Sequence, residues 1–130
     1  MGHVKIDIHV KERSYAQTYA LNDTTGVKAL LRDRHHIASR RERGDTAASD
    51  ILIDLHSAIE SAGLTDRQAE AIGLVYGLDV TQATAARVMG IAQKNVSEYV
   101  DIAAERIAAV YKRWNYGDIA VVYEEGSAAA

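Results

Sequence analysis

Histidines are the side chains best suited to acid–base chemistry or metal binding in this chain, and their spacing favours neither. The chain has no cysteine and five histidines, which are His3, His9, His35, His36 and His56. The adjacent pair would point about 100° apart on a helix, so the two rings could not readily share one metal ion. The glycines are placed as helix punctuation and not as a phosphate-binding loop. The sequence therefore predicts no catalytic residues, no metal site and no cofactor, and we do not expect an enzyme.

A cluster of positive charge indicates phosphate binding instead. Residues 28–43 contain six basic side chains against the two acidic ones, and the six are Lys28, Arg32, Arg34, Arg40, Arg41 and Arg43. The arginines at positions 32, 40, 41 and 43 are candidates for contacts with a nucleic-acid backbone. A solvated helix face, or a surface for an acidic partner protein, would have the same composition. The net charge of the whole chain is −3, so any affinity for DNA depends on where these charges lie.

Residues 64–90 contain the signals of two short helices joined by turns. Thr65 followed by Gln68 is a capping box, in which each side chain bonds a free backbone N–H at the start of a helix. The apolar face of this helix consists of Ala69, Ile72, Val75 and Tyr76. We expect Gly77 to lie just past the helix end in a left-handed conformation. A second helix is predicted from Thr81, and it carries Ala85, Ala86, Val88 and Met89.

The spacing of Ala86, Gly90 and Val96 favours a helix-turn-helix, the motif that places one helix in the major groove of DNA. The small Ala86 permits close approach of two helices, Gly90 permits a positive φ at the turn, and Val96 anchors the third helix in the core. Ile91 is expected to fill the core beside the turn. The third helix is predicted over residues 93–114. An ordinary helical hairpin with glycine punctuation is the alternative that this spacing leaves open.

These residues also carry a resemblance to a known family. The stretches Leu64-Thr65-x-Arg67, Tyr76-Gly77-Leu78-Asp79, Thr81 and Gly90-Ile91…Val96 resemble region four of bacterial primary sigma factors. That region reads the −35 element of promoters. The chain is most similar to the small sigma-like helix-turn-helix proteins of phages and prophages, which include late-gene transcription regulators. The resemblance covers about residues 64–110.

The resemblance implies which side chains would face DNA. The base-reading residues would be Gln93, Lys94, Asn95, Ser97 and Glu98, whose side chains can pair with base edges in the major groove. The phosphate contacts would include Thr81, Gln82 and Arg87. Two features depart from the family pattern: Ala92 replaces the usual capping Ser or Thr, and Ser97 and Glu98 replace arginines. Residues 64–114 hold six basic and six acidic side chains, so one copy should bind DNA weakly.

The flanking segments predict helices and two terminal strands. Val4, Ile6, Ile8 and Val10 alternate with polar residues as in a strand, and residues 118–123 form a second β-prone run. Residues 14–21 are predicted as a short helix with Tyr15 and Tyr19 on one face. Residues 25–43 are predicted as a helix whose apolar side is Val27, Leu30, Leu31, Ile37 and Ala38. After Gly44, Asp45 or Thr46 would cap a helix through Ser61 with a buried stripe at Ile51, Leu52, Leu55, Ala58, Ile59 and Ala62.

The last helix is longer than DNA recognition requires. Its second half carries Ile107, Val110, Tyr111 and Trp114 in a heptad-like seam, which favours a homodimer or higher oligomer. Packing against Val27, Leu30 and Leu31 of the same chain is the alternative.

The predicted fold is mostly α. It is a helical bundle with a C-terminal sigma-region-four-like helix-turn-helix, a long last helix and short β-strands at the two termini. Residues 1–44 would form an N-terminal strand and basic arm, residues 45–116 the helix-turn-helix domain, and residues 117–130 a strand and a disordered tail. No signal peptide or membrane span is evident, so we expect a protein of the bacterial cytoplasm.

The predicted function is a sequence-specific transcription regulator of phage type. Its expected partners are double-stranded DNA, a second copy of the chain and, as a further partner, RNA polymerase. The residues before Leu64 are too few, and too poor in aromatic side chains, for a full sigma factor. Two alternatives remain: the small terminase subunit of a phage packaging machine, and a polymerase-binding adaptor without DNA specificity of its own.

Overall fold

The fold is described by a computed structural model, which covers residues 14–42, 44 and 46–124. Its elements in chain order are β1 (Ser14–Tyr19), α1 (Thr24–Glu42), α2 (Thr46–Ser61), α3 (Asp66–Ile72), a π-helical turn (Gly73–Gly77), α4 (Gln82–Met89), α5 (Gln93–Arg113) and β2 (Ile119–Glu124). The predicted mostly helical fold is confirmed, and the helix boundaries lie within one residue of those expected for α1 and α5. The expected strand at residues 4–10 lies outside the described residues.

Helix α5 forms the centre of the molecule. Its apolar residues recur every three or four positions, and those with almost no exposed surface are Val96, Val100, Ala103, Ala104, Ile107, Val110 and Tyr111. Helices α1, α2, α3 and α4 all pack against it. A single helix therefore connects the predicted reading head at its N-terminus with the core of the bundle.

The first half of the chain belongs to the same core. Helix α1 buries Val27, Leu30, Leu31 and Ile37, and these side chains form one cluster with those of α5. Helix α2 packs on α1 and α5 and buries Ala48, Leu55 and Ala58. The division that the sequence suggested at residue 44 therefore does not separate two cores, and α1 is not a free arm.

Three of the four residues expected at an oligomer seam are buried within a single chain. Ile107, Val110 and Tyr111 have no exposed surface within a single chain, because α1 and α2 pack along the same helix. They could meet a second copy only if the core opened. Trp114, the fourth residue, is 41% exposed.

The expected helix at residues 14–21 is wrong. Ser14–Tyr19 is a strand that pairs antiparallel with Ile119–Glu124 of the same chain, in a register that sets Tyr19 opposite Ile119. Two tyrosines four residues apart suit a helix face, but tertiary pairing decides strand formation more than local preference does. The buried Tyr19 donates a hydrogen bond from its hydroxyl to Asp33 Oδ2 of α1 at 2.6 Å, which fixes the ribbon to the helical body.

Among the described residues, no helix is both long enough and apolar enough to cross a membrane.

Candidate nucleic-acid interface

Helix α3 is fixed at its start by the capping box that the sequence predicted. The Gln68 backbone N–H donates to Thr65 Oγ1 at 3.2 Å, and the Thr65 N–H donates to Gln68 Oε1 at 3.1 Å. Arg67, in the same turn, donates to the backbone carbonyl of Met89 at 3.0 Å and to Glu70 Oε1 at 3.0 Å. Met89 is the last residue of α4, so this arginine ties α3 to the turn before α5. The sequence marked Arg67 only as part of a family pattern and did not indicate this bond.

The connection between α3 and α4 differs from the expectation. Gly77 is the last residue of the π-helical turn, and the left-handed residue is Asp79, with φ of 56°. A π-helical turn places an extra residue in each turn, and the N–H of Val80 bonds back to the carbonyl of Leu74 at 3.1 Å. The wider turn thus moves the left-handed position two residues along. Aspartate tolerates that conformation better than most residues other than glycine.

The turn between α4 and α5 has the geometry that the sequence predicted. Gly90 has φ of 70°, and the Ile91 N–H donates to the Ala86 carbonyl at 3.0 Å. Ala86 and Val96 are buried on either side of the turn, and Ile91 packs against the core. Of the apolar residues expected on α4, only Val88 lies outside, with 62% of its surface exposed.

The first two turns of α5 present polar side chains to solvent. Gln93, Lys94, Asn95 and Glu98 are exposed, and Ser97 is half-buried. Successive residues are rotated by about 100° on a helix, so these five side chains span a face with Lys94 at its centre and Val96 opposite. Lys94 forms no ion pair or hydrogen bond with any described residue. The five expected base-reading residues therefore lie together on one accessible face.

The start of α5 lacks a side-chain cap, as expected from Ala92. The first N–H groups of a helix have no partner inside it, and together with the helix dipole they favour an anion at that end. Here no side chain accepts from them, in contrast to the starts of α3 and α4.

The side chains expected to touch phosphates on α4 are partly engaged with one another. Thr81 caps the helix, accepting from the Thr84 N–H at 3.1 Å, and its hydroxyl donates to Thr84 Oγ1 at 3.1 Å. Arg87 donates to the same Oγ1 at 3.1 Å while remaining exposed. Gln82 is half-buried. A phosphate contact at Thr81 would thus use the backbone, and one at Arg87 its other N–H groups.

Arg32 of α1 lies beside the start of α4. A cavity of about 290 Å³ is lined by Arg32 together with Tyr76, Asp79, Thr81 and Gln82. The fold thus brings together one arginine of the basic cluster and two of the expected phosphate contacts, Thr81 and Gln82. No local sequence pattern predicts this placement, because it depends on how α1 packs.

The Arg32 side chain is oriented by its neighbour Asp33. Arg32 Nε lies 3.0 Å from Asp33 Oδ1, and Asp33 also accepts the hydrogen bond from Tyr19. Burial alone would raise the pKa of the Asp33 carboxyl, but the hydrogen bonds from Arg32 and Tyr19 outweigh it and hold that pKa below its usual value.

The other residues of the basic cluster that the structure describes have surroundings of their own. Lys28 pairs with Asp101 of α5, Arg34 lines a different cavity between α1 and α2, and Arg40 is half-buried and interacts with other groups. The side chain of Arg41 and the whole of Arg43 lie outside what the structure describes. Of the two expected phosphate-binding arginines whose side chains the structure describes, Arg32 lines the cavity beside the start of α4 and Arg40 does not.

In the part of the chain that the structure describes, no three histidine or acidic side chains are grouped as a metal site. Comparison with protein-family models, curated proteins and solved structures gave no match for this chain. Its function must therefore be inferred from the geometry of its own residues.

Proposed function

We propose that this chain is a sequence-specific DNA-binding protein that regulates transcription, with the first half of α5 as the helix that enters the major groove. The observation that carries the proposal is the tight turn at Gly90, which sets α4 against α5 and leaves the polar face around Lys94 free. The resemblance to sigma region four, noted from the sequence, is consistent with this arrangement.

The dimensions of α5 suit this role. Helix α5 has 21 residues, which corresponds to a length of about 32 Å. The major groove is about 12 Å wide and admits one helix. The first two turns can therefore enter it while the remaining turns stay in the core. Because Val96, Val100 and Ala103 are buried, the direction of the exposed face is fixed by packing.

The chemistry of the exposed face suits base edges. Asn95 and Gln93 can each bond an adenine through two hydrogen bonds, Lys94 can bond guanine, and Glu98 can accept from cytosine. The uncapped N–H groups at the start of α5 can bond a phosphate oxygen, as helix N-termini often do. Arg32 and the start of α4 would hold the DNA backbone beside the groove.

The low net charge of this region should limit its affinity for DNA. Helix-turn-helix residues 64–114 are electrically neutral as a group, and most non-specific affinity for DNA comes from neutralised phosphates. We therefore expect useful affinity only when two copies bind one DNA, or when a partner such as RNA polymerase holds it. The buried position of Ile107, Val110 and Tyr111 means that a second copy would use another surface.

Selection of bound sequences from a random duplex library, followed by fluorescence anisotropy with the selected duplex, tests the proposal. Lys94→Ala and Lys112→Ala form a matched pair, because both lysines are exposed on α5. Eighteen residues separate them, so they share one helix face about 27 Å apart. Each variant removes one positive charge. Lys94→Ala should weaken binding about tenfold, and Lys112→Ala should leave it within about twofold.

Two results would contradict the proposal. Failure of the library to yield any enriched sequence would mean that the chain does not read bases. Equal losses for the two lysine variants would show binding through net charge alone. Both variants should keep the melting temperature of the wild type, since neither lysine side chain forms a hydrogen bond or ion pair with a described residue.

A further inference from the structure

A second cavity lies between α1 and α2, apart from the candidate DNA interface. It measures about 270 Å³. Its apolar wall is formed by Ala38 from α1 and by Leu52, Leu55 and Ile59 from α2. Leu55 is only 3% exposed and forms the floor. An apolar floor beneath polar groups is the usual composition of a small-molecule site.

The polar side chains around this cavity are one arginine and two histidines. They are Arg34, His35 and His56, and among the described residues no carboxylate lines the cavity. His56 Nε2 lies 3.5 Å from Glu60 Oε2, so this ring already has an anionic neighbour. His35 is exposed.

Arg34 is the permanent charge at the site. It is half-buried, and it makes no hydrogen bond or ion pair with any described residue. The nearest acidic residue in sequence, Asp33, is already engaged by Arg32 and Tyr19. The planar guanidinium can bond both oxygens of a carboxylate at once. A free arginine above an apolar floor therefore fits an anion that carries an apolar body.

We propose that this cavity binds a small organic acid, with its carboxylate on Arg34 and its apolar part on Leu52, Leu55 and Ile59. A volume of about 270 Å³ holds on the order of nine atoms other than hydrogen, if each takes the share of a water molecule in the liquid. A compact aromatic or branched-chain monocarboxylate has that size. The proposal does not depend on DNA binding.

The test is a titration of the full chain with benzoate, followed by ¹H–¹⁵N NMR spectra. Saturable shifts should be confined to the amides of α1 and α2 around the cavity. Benzyl alcohol, which keeps the ring and lacks the charge, should bind about tenfold more weakly. Arg34→Gln should weaken benzoate binding about tenfold, a loss comparable to that of one charge-assisted contact. Arg113→Gln removes an exposed arginine that does not line the cavity, and it should bind benzoate as the wild type does.

A second variant keeps the charge and removes the space. Ala38→Leu places a larger side chain in the cavity with Arg34 intact, and it should abolish the saturable shifts. Equal affinity for benzoate and benzyl alcohol would overturn the proposal, as would equal losses in the Arg34 and Arg113 variants. Shifts that never saturate, or that spread over all basic segments, would also overturn it, because they would show weak association with surface charge.

Discussion

Gly26, in the first turn of α1, is a residue at which sequence and structure predict opposite effects of one substitution. By helix preference alone, Gly26→Ala should raise the free energy of unfolding by up to about 1 kcal/mol. In the structure, a Cβ at this position would lie 2.7 Å from the carbonyl carbon of Ala20 and 2.9 Å from its nitrogen, and closer still to its oxygen. All three are backbone atoms, so no side-chain rotation can make room.

Gly73 provides the matched comparison. It is also helical, with φ of −63° and ψ of −41°, and an added Cβ would meet nothing within 4 Å. Gly73→Ala should therefore raise the free energy of unfolding by about 0.5–1 kcal/mol. Gly26→Ala must displace the turn between β1 and α1, and overpacking of this kind costs about 1–3 kcal/mol. Since the obstructing atoms are all backbone, the cost should lie in the upper part of that range, about 2–3 kcal/mol. After a helix preference of up to about 1 kcal/mol is subtracted, the expected net loss is roughly 1–2 kcal/mol.

Urea unfolding followed by far-UV circular dichroism measures both variants. A combined difference of about 2–3 kcal/mol corresponds to midpoints separated by roughly 1–2 M urea for a small domain. Two results would contradict the predicted clash at Gly26. If Gly26→Ala unfolds at the wild-type midpoint or above it, the backbone of Ala20 does not pack on α1 as described. If both variants lose stability equally, the loss arises from glycine flexibility and not from this contact.

Three further predictions concern single contacts. Asp33→Asn should lower the free energy of unfolding by roughly 1 kcal/mol at neutral pH. Because the pKa of Asp33 is lowered in the native state, this difference from wild type should shrink as the pH falls below 3.8 and through the native pKa. Urea midpoints measured at several pH values check this. Arg67→Ala removes the donor to the Met89 carbonyl and should lower the free energy of unfolding by roughly 1–2 kcal/mol, whereas the exposed Arg113→Ala should leave the melting temperature unchanged. Burial, together with the hydrogen bond to Asp54, raises the pKa of Tyr116 to about 12. The stability that the neutral Tyr116 hydroxyl contributes should be complete below pH 10 and lost as the pH rises towards 12. In an ultraviolet absorbance titration, Tyr116→Phe should remove one phenol that ionises late.

Helices α1, α2 and α5 could be predicted from sequence because each has apolar residues at helical spacing. The predicted range 93–114 for the last helix compares with Gln93–Arg113 in the structure. β1 could not be predicted, since its strand form depends on pairing with β2, more than a hundred residues later in the chain. Local preference is weak where the pairing partner is so distant. The shift from Gly77 to Asp79 has a similar origin, because no residue type signals a π-helical turn.

The candidate site could be predicted only where it is local. The capping box at Thr65, the left-handed Gly90 and the buried Val96 each follow from neighbouring residues, and all three are confirmed. The bond from Arg67 to Met89 and the position of Arg32 beside α4 join segments that are distant in sequence. The seam at Ile107 is a further case: its spacing suits a second copy or the same chain equally, and α1 decides the outcome.

Under the proposed function, α5 serves both as the central core helix and as the helix that enters the DNA groove. This double role determines how the protein would bind DNA. Because Val96, Val100, Ala103, Ile107 and Tyr111 along α5 are buried in one core, the exposed face around Lys94 cannot rotate without disturbing the whole bundle. Binding should then resemble docking of a rigid body, in which little ordering entropy is lost at the interface. Affinity would depend on the groups that flank that face, and Arg32 is placed by α1 beside the start of α4. A change in how α1 packs on α5 would thus alter DNA affinity without altering any base contact.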